Sequence, residues 1–548
     1  MKPTLPALLT AASVALGAAW AGVAHSEPAK PVAVHMPWKQ AGLTERQAAA
    51  HLLNRFAFGP RPGEVDAVVR MGLDRWLDRQ LASDLPDPKA LEDLRELPAL
   101  NMSTAQIFKT YPPAGTILVQ AKLAGIIPDD IKRGDLKVKN KENDPERDEL
   151  KAKLKEFAAG QGYRPEKELI GQLMTQKLVR AVESENQLEE VMTDFWFNHF
   201  NVSQTDAKVR PFLLSYERDA IRPQALGSFR GLLEATAKSP AMLTYLDNAQ
   251  STAAAGEPTT MQDEMDRTPL RRARFGGRGA AATAADDSDP AMVRYNGQGM
   301  LAARQNRLAR SPLAPKKKGQ QGVNENYARE LMELHTLGVD GGYTQKDVVE
   351  VARAFTGWGI LPGQPKVRAA AETRLARAER AGGLGFRQEG DFLFRADQHD
   401  ASPKAILGAS FPAGRGIEDG EGVLDLLAAN HATAHHVATK LAVRFVSDHP
   451  SPALVDHLTD VYLKTGGDVR RLVAAIAESP EFWSRDVVGA KIKSPFELAA
   501  SALRITGGDV IDPTALFQWM NRMGQPLYAY QAPTGYPDRA EAWVNTGS

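Results

Sequence analysis

The stretch NENYARELMELHTLGVDGGYTQKDVVEVARAFTGW, Asn324 to Trp358, constrains the fold more than any other part of the chain. Residues three and four apart share one face of a helix. Tyr327, Leu331, Leu334 and His335 therefore predict one buried stripe, and Val348, Val351, Ala352 and Phe355 predict a second. Gly338 and Asp340-Gly341-Gly342 stop the first helix. Thr344, with Asp347 three residues on, makes a near capping box for the second. The Asp340 loop is too short for an EF-hand and lacks its alternating carboxylates.

The same helical period recurs through the chain. Thr44 with Gln47 predicts a helix running to Phe58, and Gly59-Pro60-Arg61-Pro62 breaks it. Further helices are expected over 64–71, 73–81, 188–200, 433–447, 452–465, 468–477 and 495–505. Three Ser-Pro pairs, at Ser239, Ser479 and Ser494, read as helix starts, the last with Glu497 completing a capping box. Asp391 to Phe394 and Ala405 to Leu407 are short apolar runs that predict a small β-hairpin. Residues 129–156 are dense in charge and read as an exposed, partly helical excursion. Residues 251–322, rich in Ala, Gly, Arg and Pro, read as a low-complexity, disordered insertion, and 363–389 as a polar excursion with an Arg-rich helical pattern. The prediction is an all-α fold. It consists of one large multi-helix domain with an N-terminal part at 40–250 and a C-terminal part at 323–548.

Lys plus Arg equals Asp plus Glu at 67 each, so no global charge argues for nucleic acid. The chain has no cysteine, which excludes disulfide scaffolds, thiol catalysis, Fe-S clusters and cysteine-ligated zinc. Lys2, the apolar run from Leu5 to Val23 and the small residues around Ala24-His25-Ser26 predict a secretory signal peptide, residues 1–26. No twin arginine is present, so the general secretory route to a periplasmic or extracellular location is expected. No later stretch is apolar for long enough to span a bilayer, so no membrane span is expected after cleavage.

Two regions concentrate ionisable groups on otherwise apolar helices. Asn326, Glu330 and Glu333 form one row, able to hold a divalent cation or to poise a carboxyl as acid or base, and equally readable as a solvated face. His335 sits beside leucines, as a packed core histidine would. On 188–200, His199 lies with Trp196 on one face while Asp194 and Asn198 lie on another, a pattern that fits a base or ligand as well as a buried imidazole under an indole. His399-Asp400 falls in a loop, the kind of place where scaffolds present reactive groups and also where Asx turns form. The catalytic candidates are Glu330, His199, His335, His399 and Asp400, and the metal candidates are Asp194, Asn326 and Glu333. His431 and His435 share a face without the glutamate of a zincin motif and read as a surface pair, as do Lys440 and Arg444. There is no phosphate loop, Rossmann fingerprint, nucleophile elbow or His-Glu-x-x-His, and nothing in the histidine spacing demands haem.

The ordered segments HLLNRFAFGPRPGEVDAV with GLDRWLDRQL, FWFNHFNV, AMLTYLDN, the 324–358 stretch, HD followed by KAILG, KLAVRFVSD and the late MGQPLYAYQAPTGYPD resemble the bacterial domain of unknown function 1800 family. The resemblance implies an exported, mainly helical bacterial protein, often encoded beside a second exported family. It also leads one to expect helices beyond Ser548, where this chain stops. Two functions are carried forward. One is a hydrolytic or metal-assisted enzyme built on the Glu, His and Asn groups. The other is a non-catalytic binding or scaffold protein acting with a co-exported partner or a surface polymer.

Overall fold

The computed structural model of the chain describes residues 34–132, 134–136, 145–267, 322–380 and 385–544. Residues 1–26, expected to be a signal peptide, and most of the 251–322 insertion lie outside the described residues. Helices dominate, and the local chemistry that starts them is visible. Capping boxes close the helices Glu45–Arg55, Gln345–Ala354 and Pro495–Thr506, where Thr44, Thr344 and Ser494 accept from the third helical amide and that residue's side chain returns the bond. Each box satisfies backbone amides that the first turn leaves without partners.

One hydrophobic cluster runs from Val34 to Tyr528 and joins residues on both sides of the 268–321 segment. The helix Gln187–His199 lies inside it. Leu188, Val191, Met192, Phe195 and Trp196 are all buried, and the Trp196 indole donates to the Ala225 carbonyl at 2.9 Å. A ring of that size removed from a core costs about 3–5 kcal/mol, so this helix is fixed tightly in place. It packs on Glu166–Glu183, which in turn packs on Pro495–Thr506.

The stripe expected at 324–338 is realised with an altered winding. An α-helical turn, Glu325–Glu330, continues as a π-helical segment, Leu331–Thr336. The helix His431–Phe445 packs against this segment and against Pro452–Thr465. Arg329 and Glu333, four residues apart, take partners outside this helix. Arg329 donates to Gln345 at 2.6 Å, and Glu333 accepts from the Tyr343 hydroxyl at 3.0 Å.

The strands are short. β1 (Trp358–Ile360), β2 (Arg387–Glu389) and β3 (Phe392–Phe394) make an antiparallel sheet in the order β1-β3-β2, with Trp358 and Arg387 both opposite Phe394. β4 (Lys404–Ile406) and β5 (Ala409–Phe411) make a separate hairpin. The two apolar runs read from the sequence therefore do not pair with each other. Each finds a nearer partner across a two-residue turn, and Leu407-Gly408, at φ 50° and 82°, has the left-handed pair such a turn requires.

Three other expectations change. Ser479-Pro480 starts no helix: Ser479 ends the helix Val469–Glu478, and turns follow because Phe482 and Trp483 are drawn fully into the core. The first part of the 251–322 insertion is ordered. It includes the helix Thr260–Arg267 and a bridge from Thr259 to Asp400. Arg444 is buried rather than exposed, and its guanidinium pairs with Glu497.

Candidate functional site

The C-terminal end of Gln187–His199 and the loop after it hold the aromatic tail in place through amide side chains. Asn198 donates to the Tyr536 carbonyl at 2.7 Å and accepts from the Tyr536 amide at 2.6 Å. Asn201 donates to the carbonyls of Tyr530 and Ala532 at 3.0 and 2.7 Å, and the Gln204 amide to that of Tyr528 at 2.7 Å. Gly535, at φ +70°, passes so close that a Cβ there would stand 2.1 Å from the Asn198 carbonyl oxygen. Tyr528 is held at φ 58°, a left-handed conformation that costs a non-glycine residue about 1–3 kcal/mol. Its hydroxyl donates to Glu217 at 2.7 Å, which anchors the strained residue.

Between helix and tail lies a cavity of about 60 Å³, lined by Lys177, Asp194, Asn198, Arg444, Glu497 and Asp538 with Tyr536 and Trp543 beside them. That is room for on the order of four waters. The charges around it are arranged in pairs. Lys177 lies 2.8 Å from Asp194 and 3.7 Å from Glu217. Burial alone would lower its pKa, yet the two carboxylates hold it above the ordinary lysine value. Glu497 would be raised by burial, but Arg444 and the Ser494 amide bring it down to about 2. Asp538 goes the other way. Burial raises it, against the pull of Lys440, whose ammonium is 4.0 Å away, and of Arg444 and Lys491.

Behind Lys440 three imidazoles meet. His199 donates from Nε2 to the His335 carbonyl at 3.1 Å, and its ring centroid lies 6.3 Å from that of His335 and 6.0 Å from that of His436. Burial first, and then the Lys440 ammonium, lowers all three: His199 well below the ordinary value, His335 to about 3 and His436 to about 4. The sequence reading brought His199 and His335 forward and missed His436, Asp538 and Lys177. His436 adjoins the exposed His435 and carries no spacing signal of its own; its partners lie on other helices.

The remaining candidates stand elsewhere. Asn326 is exposed, and Glu330 and Glu333 are half-buried on one face, where burial and then the neighbouring Glu333 raise Glu330. No hydrogen bond or ion pair among the described residues ties them to His199 or Asp194. Asp194 carries the Lys177 ammonium, a competitor to any cation there. His399 and Asp400 are fully buried in a separate network. His399 Nδ1 donates to the Thr356 carbonyl at 2.8 Å, and its Nε2 stands 3.4 Å from Asp419, an ion-pair distance rather than a firm hydrogen bond. Asp400 takes Arg353 at 2.9 Å and the Ser402 amide at 2.9 Å, the Asx turn expected of it, and Lys404 ties both halves together through Asp419 at 2.6 Å. Among the described residues no group of three or more His, Asp or Glu side chains converges closely enough, as placed, to hold a metal ion. Nor is any helix among them long and apolar enough to cross a membrane.

The family model described as protein of unknown function (DUF1800) matches residues 51–548, and the chain belongs to that family. No curated protein and no solved structure matches it.

Proposed function

We propose that this member of the DUF1800 family is an exported hydrolytic enzyme that works by acid–base catalysis in the cavity beneath the aromatic tail. Asp538 is the proton donor and Asp194, paired with the Lys177 ammonium, is its partner. One observation carries the reading: two carboxylates line the same small cavity in opposed electrostatic settings, Asp194 against an ammonium at 2.8 Å and Asp538 raised by burial. Two carboxyl groups in such different surroundings can divide the two roles of a hydrolysis, one giving a proton to the leaving group and the other orienting or activating water. The cavity has room for that water, and Tyr536 and Trp543 provide flat apolar walls for a substrate. Export rests on the Lys2, Leu5–Val23 and Ala24-His25-Ser26 pattern.

The test is a pH–rate profile of the purified protein on chromogenic esters, phosphates and glycosides. A bell-shaped profile whose activity disappears in both Asp538→Asn and Asp194→Asn, and persists in the exposed His457→Ala, supports the assignment. Activity that survives both aspartate changes refutes it. A second reading, binding of a co-exported partner or surface polymer without chemistry, has one observation in its favour: Val119, Leu123 and Ile126 stand exposed together on and just after the helix Ala114–Leu123. A Leu123→Asp variant that loses a cross-linked envelope partner while no substrate turns over would support that reading.

A further inference from the structure

We propose that the recess between the helices Ala114–Leu123 and Pro145–Gly160 holds the hydrocarbon chain of a free fatty acid, with the Lys155 ammonium at the rim taking its carboxylate. The two helices pack on each other and carry a small apolar cluster of their own, Leu118, Ala121 and Ile127, apart from the main core. Residues four and seven apart put Leu150, Leu154 and Phe157 on one face of the second helix. That face is only half covered: in its 16 residues the helix buries no side chain fully. A helix in a protein draws most of its stability from packing such a face, so this one is left with apolar surface to cover.

The recess has a volume of about 480 Å³, inside the range of roughly 300–1,000 Å³ that small-molecule sites occupy. Ile117, Leu118, Leu136 and Leu154 line it, together with Ala114 and Ala158. Alanine at those two positions leaves open the space that a larger side chain would fill. The aromatic residue in the lining, Tyr163, has its hydroxyl engaged with Gln120 at 2.5 Å. Water fills such a surface poorly, since each molecule needs about two to four polar partners. The lining suits a ligand that is apolar along its length and needs no hydrogen bonds there, as an alkyl chain is.

The rim selects the head group. The charged residues in the lining are Lys155 and Arg164, both cationic, and no carboxylate lines the recess among the described residues. Arg164 is already engaged: its guanidinium pairs with Glu168 at 3.0 Å and lies 5.7 Å from the centre of the Tyr111 ring. Lys155 is exposed and has no hydrogen-bond or ion-pair partner among the described residues. A free ammonium at the mouth of an apolar recess is complementary to a single anionic group at the end of a chain. A phospholipid would bring two chains and a bulky head group to one recess with one free cation, which leaves the free acid as the occupant.

The experiment uses the full chain, freed of lipid on a hydrophobic resin and titrated calorimetrically with octanoate, decanoate and laurate below their micelle concentrations. The expected result is about one equivalent bound, with affinity rising roughly fourfold for each methylene buried. Ala158→Trp fills the recess and should abolish binding. Lys155→Glu, at an exposed position, should weaken laurate roughly threefold to tenfold and leave uncharged dodecanol unchanged, and it keeps the test decisive if Ala158→Trp does not fold. Leu123→Asp, on the opposite face of the first helix, is the control and should bind as the wild type does. Absence of laurate binding by the wild type overturns the proposal. So does binding that survives Ala158→Trp, a loss in Leu123→Asp equal to that in Ala158→Trp, or a Lys155→Glu effect that is the same for dodecanol. Sedimentation with phosphatidylglycerol vesicles in the absence of monomeric laurate binding would assign the surface to membrane lipid and equally overturn it. None of these outcomes bears on Asp194 or Asp538.

Discussion

Exchanging His51 for glutamine makes the acid sensitivity of this fold measurable. His51 is 3 % exposed, donates from Nε2 to the Phe482 carbonyl at 3.0 Å, and lies against Phe482 and Trp483 at 4.5 and 5.6 Å between ring centroids. Burial, then the nearby Arg55, lowers its pKa to about 4 from an ordinary 6.5, against the opposing pull of the carbonyl. Because the folded value is depressed, the folded state binds fewer protons than the unfolded chain once the pH drops below about 6.5. The stability held by the neutral ring is therefore complete above that pH and is lost as the pH falls toward 4. Between pH 8 and pH 5 the loss comes to about 2 kcal/mol at 1.36 kcal/mol per pH unit. Glutamine keeps an N–H for the Phe482 carbonyl and does not titrate. His51→Gln should thus start less stable at pH 8, through lost ring packing, and the gap should close by about 2 kcal/mol at pH 5. Glu189, raised to about 7 by burial and by Glu190, gains stability over part of the same range, but it does so in both chains and cancels in the difference. Urea unfolding followed by circular dichroism at the two pH values, with chelator present, reads the result. A gap that stays constant between pH 8 and pH 5 would show that the ring is not held neutral and would refute the reasoning.

Two further changes test the cavity. Lys177→Met removes the buried ammonium that pairs with half-buried Asp194 and with fully buried Glu217. A loss of about 3–5 kcal/mol is expected in denaturant unfolding, and a loss below 1 kcal/mol would mean that water already shields the group. Gly535→Ala puts a methyl group into the Asn198 carbonyl at a backbone angle that glycine alone adopts freely. The aromatic tail should come away from the helix, read as loss of near-ultraviolet circular dichroism from Tyr530, Tyr536 and Trp543 while far-ultraviolet helicity is kept. An unchanged near-ultraviolet spectrum would sink that account.

Much of the helical framework could be read from local pattern, and the exceptions are instructive. Thr44, Thr344 and Ser494 cap as their spacing indicates, because a capping box is completed within four residues and needs nothing from the rest of the chain. Ser479-Pro480 carries the same kind of signal and fails, because burying Phe482 and Trp483 outweighs a first turn. The β-strands were legible as apolar runs but their partners were not. Pairing is decided by turn geometry and by which neighbour is free, and Phe392–Phe394 has neighbours on both sides.

The candidate site divides along the same line. The sequence by itself determined the helices, the amphipathic faces and the fact that His199 and His335 lie on apolar stripes, since all of these depend on neighbours a few positions away. Only the tertiary structure decided that His436 joins them, that Asp194 meets an ammonium while Asp538 shares its cavity, and that His399 and Asp400 belong to another network. Those outcomes depend on helix packing and on which opposite charge comes to rest within a few ångströms, and the spacing of residues along one chain does not encode that distance.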